Sequence, residues 1–131
     1  MAAASKARLF HTQQIHFLRT LMNYNDPDIA GRKIGTVPAG ANILRTNTVV
    51  STANNAGTTA TLSVGFNAAA ATDLINAIDV KTAATANVVT QAPSGKALMA
   101  ADTDIYVTMA TTGGAPTAGI VEVIVEYVPA I

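Results

Sequence analysis

The chain has 131 residues, with eight Lys and Arg against eight Asp and Glu, and neither Cys nor Trp; this length fits one domain able to bury a sizeable core. Charged residues make up 12% and hydrophobic residues 50%, which excludes disorder driven by charge excess and implies an unusually neutral surface. The absence of cysteine excludes a disulfide scaffold, a zinc ribbon and a thiol nucleophile.

Much of the missing charge is replaced by 26 Ala and 18 Thr. The longest uncharged stretch, residues 46–72, is interrupted throughout by Thr, Asn, Ser and Gly. It lacks the run of about 20 apolar residues that a spanning helix needs, so no membrane association is expected. The first ten residues, MAAASKARLF, lack the apolar core of a secretory signal, and no targeting segment is expected.

In chain order, residues 1–14 read as an extended arm and residues 15–131 as a single domain. Residues 15–24 fit an amphipathic helix with Phe10, Phe17 and Leu21 aligned, or a strand with Leu18, Met22 and Tyr24 on one side; the strand is the preferred reading. A short strand over 33–37 is stopped by the turn at Pro38 and Gly40. Residues 42–52 and 58–66 read as two strands joined through Asn54-Asn55-Ala56-Gly57 in a hairpin. In the first of these, Ile43 and Val49 lie on the opposite parity to Leu44 and Val50, which predicts a bulge or burial on both faces. The second alternates cleanly, with Ala60, Leu62, Val64 and Phe66 on one side.

Residues 67–79 are Ala-rich, with Ala71, Leu74, Ile75 and Ile78 at helical spacing, and a short helix is expected there. One short strand is expected near 87–90, with a loop through Pro93-Ser94-Gly95 after it. Residues 104–111 alternate with Ile105, Val107 and Met109 on one side, and residues 119–128 with Val121, Val123, Val125 and Tyr127. The Gly- and Pro-containing connector 112–118 reads as a second hairpin loop. The sum is an all-β protein: a jelly-roll-like β-sandwich with one short helix and an extended N-terminal arm.

The sequence offers little catalytic chemistry. His11 and His16 are five residues apart and share no ligand face. None of Ser5, Ser51, Ser63 and Ser94 lies in a nucleophile elbow. Pro93-Ser94-Gly95-Lys96 lacks the first Gly of a phosphate loop, and Ala97 stands where a magnesium-holding hydroxyl belongs. The pairs Asp26/Asp28 and Asp102/Asp104 read as turn-capping carboxylates, because no further calcium ligands follow. Three Phe and three Tyr are scattered and build no stacking platform. No enzyme activity, metal, cofactor or direct nucleic-acid contact is expected.

Charge is balanced overall but not along the chain. Residues 1–45 carry six basic side chains against two acidic ones, and residues 46–131 carry two against six. This asymmetry makes Arg8, Arg19, Arg32, Lys33 and Arg45 candidates for docking onto a partner. The non-core parity of residues 119–128 places Ile120, Ile124 and Val128 beside Glu122 and Glu126, a poor solvent face and a candidate for self-association.

The segments KIGTVPAGANIL (33–44), NNAGTTATLSVG (54–65) and DIYVTMATTGGAPTAGIVEVIVEYV (104–128) together resemble capsid cement or decoration proteins of tailed bacteriophages. The resemblance implies a jelly-roll-like virion protein without enzyme activity. Such a protein would decorate the capsid surface, bridge neighbouring major-capsid subunits, and associate with itself as a dimer or trimer. It would be made in the bacterial host cytoplasm, which a cysteine-free chain suits. From a different class, a carbohydrate- or receptor-binding module of a phage tail fibre also fits a β-sandwich, although the absence of Trp disfavours sugar stacking.

Overall fold

The computed structural model describes residues 14–81 and 87–130. Eight strands run in the order β1 (His16–Asn23), β2 (Arg32–Val37), β3 (Asn42–Thr52), β4 (Thr59–Gly65), β5 (Ile75–Asp79), β6 (Asn87–Gln91), β7 (Thr103–Thr112) and β8 (Ile120–Val128). They form two four-stranded antiparallel sheets, one ordered β1-β8-β3-β6 and the other β2-β7-β4-β5. The period-2 alternation of Val, Ile, Leu and Met gives each strand one apolar side, and the two sheets bury these sides against each other. Val121, Val123 and Val125 from β8 meet Ile105, Val107 and Met109 from β7 and Leu62 and Val64 from β4 in one buried cluster. The strand preferred for residues 15–24 is present as β1, with Met22 fully buried and Leu18 packed on the core.

Both expected hairpins are wrong in their pairing. β7 lies between β2 and β4, while β8 lies between β1 and β3, so the connector 113–119 crosses from one sheet to the other. The connector between β3 and β4 crosses in the same way, and only β4 and β5 are consecutive strands of one sheet. Gly and Asn mark a reversal of the chain, but they do not say which strand pairs with which. The two crossing loops instead bind each other: Gly57 N–H donates to Gly114 O at 2.9 Å and Thr58 N–H to Thr112 O at 2.9 Å. Asn55 Oδ1 accepts from the N–H groups of Thr117 and Ala118 at 2.7 and 3.0 Å.

This contact needs a bare backbone at Gly57, because a Cβ there would sit 2.3 Å from Gly114 N. Gly57→Ala is therefore expected to force the loops apart and cost about 1–3 kcal/mol, as overpacking against fixed backbone does. A thermal melt checks it; an unchanged midpoint would show that the loops separate freely.

The expected helix over 67–79 is also corrected, since no helix occurs among the described residues. Asn67 Oδ1 accepts from Ala69 N–H and Asp73 Oδ2 from Phe66 N–H, both at 2.9 Å, which folds the Ala-rich part into turns. The remainder becomes β5 on the free edge of β4, where Leu74 N–H donates to Val64 O at 2.9 Å. Helix propensity is a weak bias, and it yields where a sheet edge offers both backbone partners and burial for Leu74 and Ile75. The parity conflict in β3 is resolved by register shifts between Ile43 and Arg45 and between Val50 and Thr52, which turn Ile43, Thr46, Thr48 and Val50 all inward. The expected N-terminal arm lies outside the described residues except for Gln14.

Candidate docking face

The two sheets present different outer surfaces. On the β2-β7-β4-β5 side, the outward positions are Thr59, Thr61 and Ser63 on β4, with Tyr106, Thr108 and Ala110 on β7. On the β1-β8-β3-β6 side aliphatic and aromatic side chains are interspersed with charged and amide ones. Antiparallel register aligns them in rows: Phe17, Glu126, Arg45 and Gln91; then Arg19, Ile124, Asn47 and Val89; then Leu21, Glu122 and Val49. Ile15, Phe17, Leu21 and Val89 are 56%, 61%, 50% and 55% exposed, so large apolar side chains stand in solvent at both edges of one face. Ile15, Phe17, Arg19, Glu122, Ile124 and Glu126 line an open groove of about 340 Å³ on it.

The charges on this face are paired across strands, Arg19 diagonally with Glu122 and Arg45 with the directly opposite Glu126. Arg19 Nη2 lies 2.5 Å from Glu122 Oε2, and Arg45 Nε lies 2.5 Å from Glu126 Oε2. These exposed pairs add little stability, but they neutralise the face and lower the cost of covering it. Ile120 and Val128 sit at the two ends of β8 with Ile124 between them, on the same parity. Thus Arg19, Arg45 and the three aliphatics Ile120, Ile124 and Val128 come together on one surface.

Arg32 and Lys33 do not join it. Arg32, at the β1/β2 corner, donates to both oxygens of Asp28 at 2.6 and 2.9 Å, to Asp26 Oδ2 at 2.7 Å and to Leu21 O at 2.7 Å. Lys33 Nζ lies 3.0 Å from Asp104 Oδ1, beside the opposite sheet. Arg8 lies outside the described residues. The basic and acidic halves of the sequence meet in space through Arg19–Glu122, Lys33–Asp104 and Arg45–Glu126, while Arg32 and Lys96 are ion-paired within their own halves.

The carboxylates read as turn caps divide. Asp26 accepts from Asn23 N–H at 2.9 Å within its own turn. Asp102 instead accepts from Ala39 N–H at 2.8 Å, and Asp104 from the Thr36 hydroxyl at 2.6 Å, so both tie the β7 end to β2 and its following turn. Among the described residues no group of three His, Asp or Glu is placed to hold a metal ion. His16 lies against the Tyr127 ring at 5.7 Å between centroids.

Four of these carboxyls are held below their ordinary range. For Asp26 the main cause is the Asn23 N–H, for Asp28 the Arg32 guanidinium, and for Asp104 the Thr36 hydroxyl followed by Lys33. Burial pushes Asp73 upward, but the Phe66 N–H and Lys96 together outweigh it. A carboxyl lowered in the folded state stabilises the fold fully above its unfolded value, here 3.8, and loses that contribution as pH falls through the folded value. The melting temperature is therefore expected to fall progressively as pH drops below about 5. A melt that stays constant as pH drops would mean that the four contacts do not persist in solution.

No family model matches the chain, and no curated protein does. Solved structures do. The chain is similar to one from the capsid asymmetric unit of cyanophage Pam1, at 20% identity and a TM-score of 0.62, over 88% of this chain and 84% of that one. It is similar to a chain of the acidic stable capsid of Helicobacter pylori bacteriophage KHP30, at 14% identity and a TM-score of 0.62, over 86% of each chain. A chain of the Ralstonia phage GP4 capsid matches at 21% identity and a TM-score of 0.59, over 90% of this chain and 86% of that one. At these identities the fold is what is shared: the chain has the fold of chains found in three phage capsids.

Proposed function

We propose that this chain is a structural protein of a phage virion, a jelly roll that decorates the capsid surface and cements it by bridging neighbouring major-capsid subunits. The interleaved strand order supports the jelly-roll assignment, since every connection but the one from β4 to β5 crosses between the sheets. The observation that carries the functional reading is the fold shared with chains of three phage capsids over 84–86% of their length. The outer face of β1-β8-β3-β6 is the docking surface, with Phe17, Leu21, Ile124 and Val89 giving apolar area and Arg19 and Arg45 with their glutamates giving register. The protein also associates with itself, and its role is not enzymatic.

Two measurements test this. Particles purified from an infected host are expected to carry the protein at a fixed copy number relative to the major capsid protein. Bare shells mixed with the purified protein are expected to co-sediment with it to saturation. Absence from particles, or no co-sedimentation, overturns the reading.

A further inference from the structure

Among the described residues, the outer face is not the only unpartnered feature of the β1-β8-β3-β6 sheet; its β1 edge is the second. β1 pairs with β8 at every residue from His16 to Asn23 without a register shift, so its ladder is regular along its whole length. The other edges are less regular. β2 carries a shift between Lys33 and Gly35, β5 is kinked by Ala77 at φ 55°, and β6 spans only Asn87–Gln91. Regular, unprotected edges are templates for further pairing, and proteins that do not use them usually blunt them.

Three hydrogen bonds show which backbone groups of β1 face outward. Tyr24 N–H donates to Gly119 O at 2.9 Å, toward β8, whereas Asn23 N–H donates to Asp26 Oδ2 at 2.9 Å and Leu21 O accepts from Arg32 Nη1 at 2.7 Å, away from it. Alternation along an antiparallel strand then turns the N–H and C=O of the odd-numbered residues to the free edge. The Asp26–Arg32 cluster seals this edge at Asn23 and Leu21. It leaves Phe17 and Arg19 open, beside the exposed side chains of Ile15 and Phe17.

We propose that this open stretch pairs with β1 of a second copy of the chain, antiparallel, about a two-fold axis at Phe17. The seal sets the register. An axis at Arg19 would oppose two guanidiniums and run each strand into the other's closed Asn23, while an axis at Phe17 pairs residues 14–20 with 20–14 and sets each Arg19 against the second copy's Ile15. Arg19 is the only formal charge in that stretch apart from His16, and Glu122 of its own copy holds it at 2.5 Å, so the copies meet without net repulsion. The two sheets then continue as one of eight strands, and the two outer faces lie side by side. The inference rests on the self-association within the proposed function and gives it a location; it does not depend on shell binding.

The chain has no native cysteine, so single cysteines report position directly. Across the proposed axis, residues 17 of the two copies stand about 5.5 Å apart at Cα, within disulfide reach. Light scattering of the wild-type protein at tens of micromolar is expected to give a dimer. Mild oxidation is expected to join Phe17→Cys rapidly and completely, and to leave Ile124→Cys and Val89→Cys largely unjoined. Phe17→Pro keeps the β8 ladder, because its N–H faces the free edge, but removes two symmetry-related hydrogen bonds. It is expected to weaken dimerisation by about thirtyfold with the circular dichroism unchanged. Should Phe17→Pro fold poorly, Phe17→Asp, which sets two carboxylates across the axis, makes the same test. A monomeric wild type overturns both self-association and the edge. A dimer that joins through Ile124→Cys, or survives Phe17→Pro, overturns the edge alone and leaves self-association through the outer face.

Discussion

Ile124→Asp is expected to reduce retention on bare capsid shells by about a hundredfold while leaving the fold intact. Ile124 stands between Arg19 and Asn47 in its row, with Glu122 and Glu126 on either side along β8. The substitution removes the central aliphatic of the face and sets three carboxylates in succession on one strand face. Two of them already share the available arginines. A central apolar contact typically costs about 2–4 kcal/mol when lost, and each 1.4 kcal/mol is about tenfold in affinity. Ile124 is only half-buried in the isolated domain, so its thermal midpoint should move little. Sedimentation of shells over a concentration series gives the bound copies directly; retention equal to wild type would remove this face from the docking mechanism.

The largest effect on stability is expected at Leu62. It is fully buried in β4, with Met109 of β7 and Ile78 of β5 as its cross-strand neighbours, and it faces the β8 valines across the core. Leu62→Ala removes buried methyl groups at a site held from three sides, where little collapse is available. The expected loss is about 3 kcal/mol, which for a domain of this length corresponds to about 10 °C in melting temperature. Urea unfolding and calorimetry measure it. A loss below about 1 kcal/mol would mean that the core repacks around the gap.

What the sequence made legible is what depends on neighbours along the chain. Period-2 alternation located β4, β7 and β8, separated their two faces and chose the core side of β8, because a strand's two faces are written in its own residues. The parity clash between Ile43 and Val50 announced the β3 bulges for the same reason. Sheet membership was not legible. β7 and β8 alternate equally well whether they lie side by side or face each other across the core, and their Gly-rich connector serves either arrangement.

The helix over 67–79 failed because its apolar spacing also suits turns followed by a short strand once β4 supplies an edge. The common outward side of Ile120, Ile124 and Val128, expected for self-association, followed from parity. The spacing of Phe17 and Leu21, read as a helical stripe, is also an even number of residues and so a common strand face. The charge asymmetry misled in another way: it is a property of the linear chain, and pairing such as Arg19 with Glu122 and Arg45 with Glu126 cancels it once the strands are side by side.

The position of β8 has a consequence for how the molecule comes into being. It is the last of the described strands, yet it is an interior strand of its sheet, joining β1 to β3. On a ribosome, β1 emerges before the other described strands and waits for its ladder partner among them until residues 120–128 have been made. During that wait its apolar residues and both of its edges are open. Closure requires contacts as distant in sequence as His16 with Tyr127, a pattern that slows folding into the millisecond-to-second range typical of nonlocal β topologies. Closure of this sheet therefore waits on β8, and losing β8 removes the strand that links β1 to the rest of its sheet.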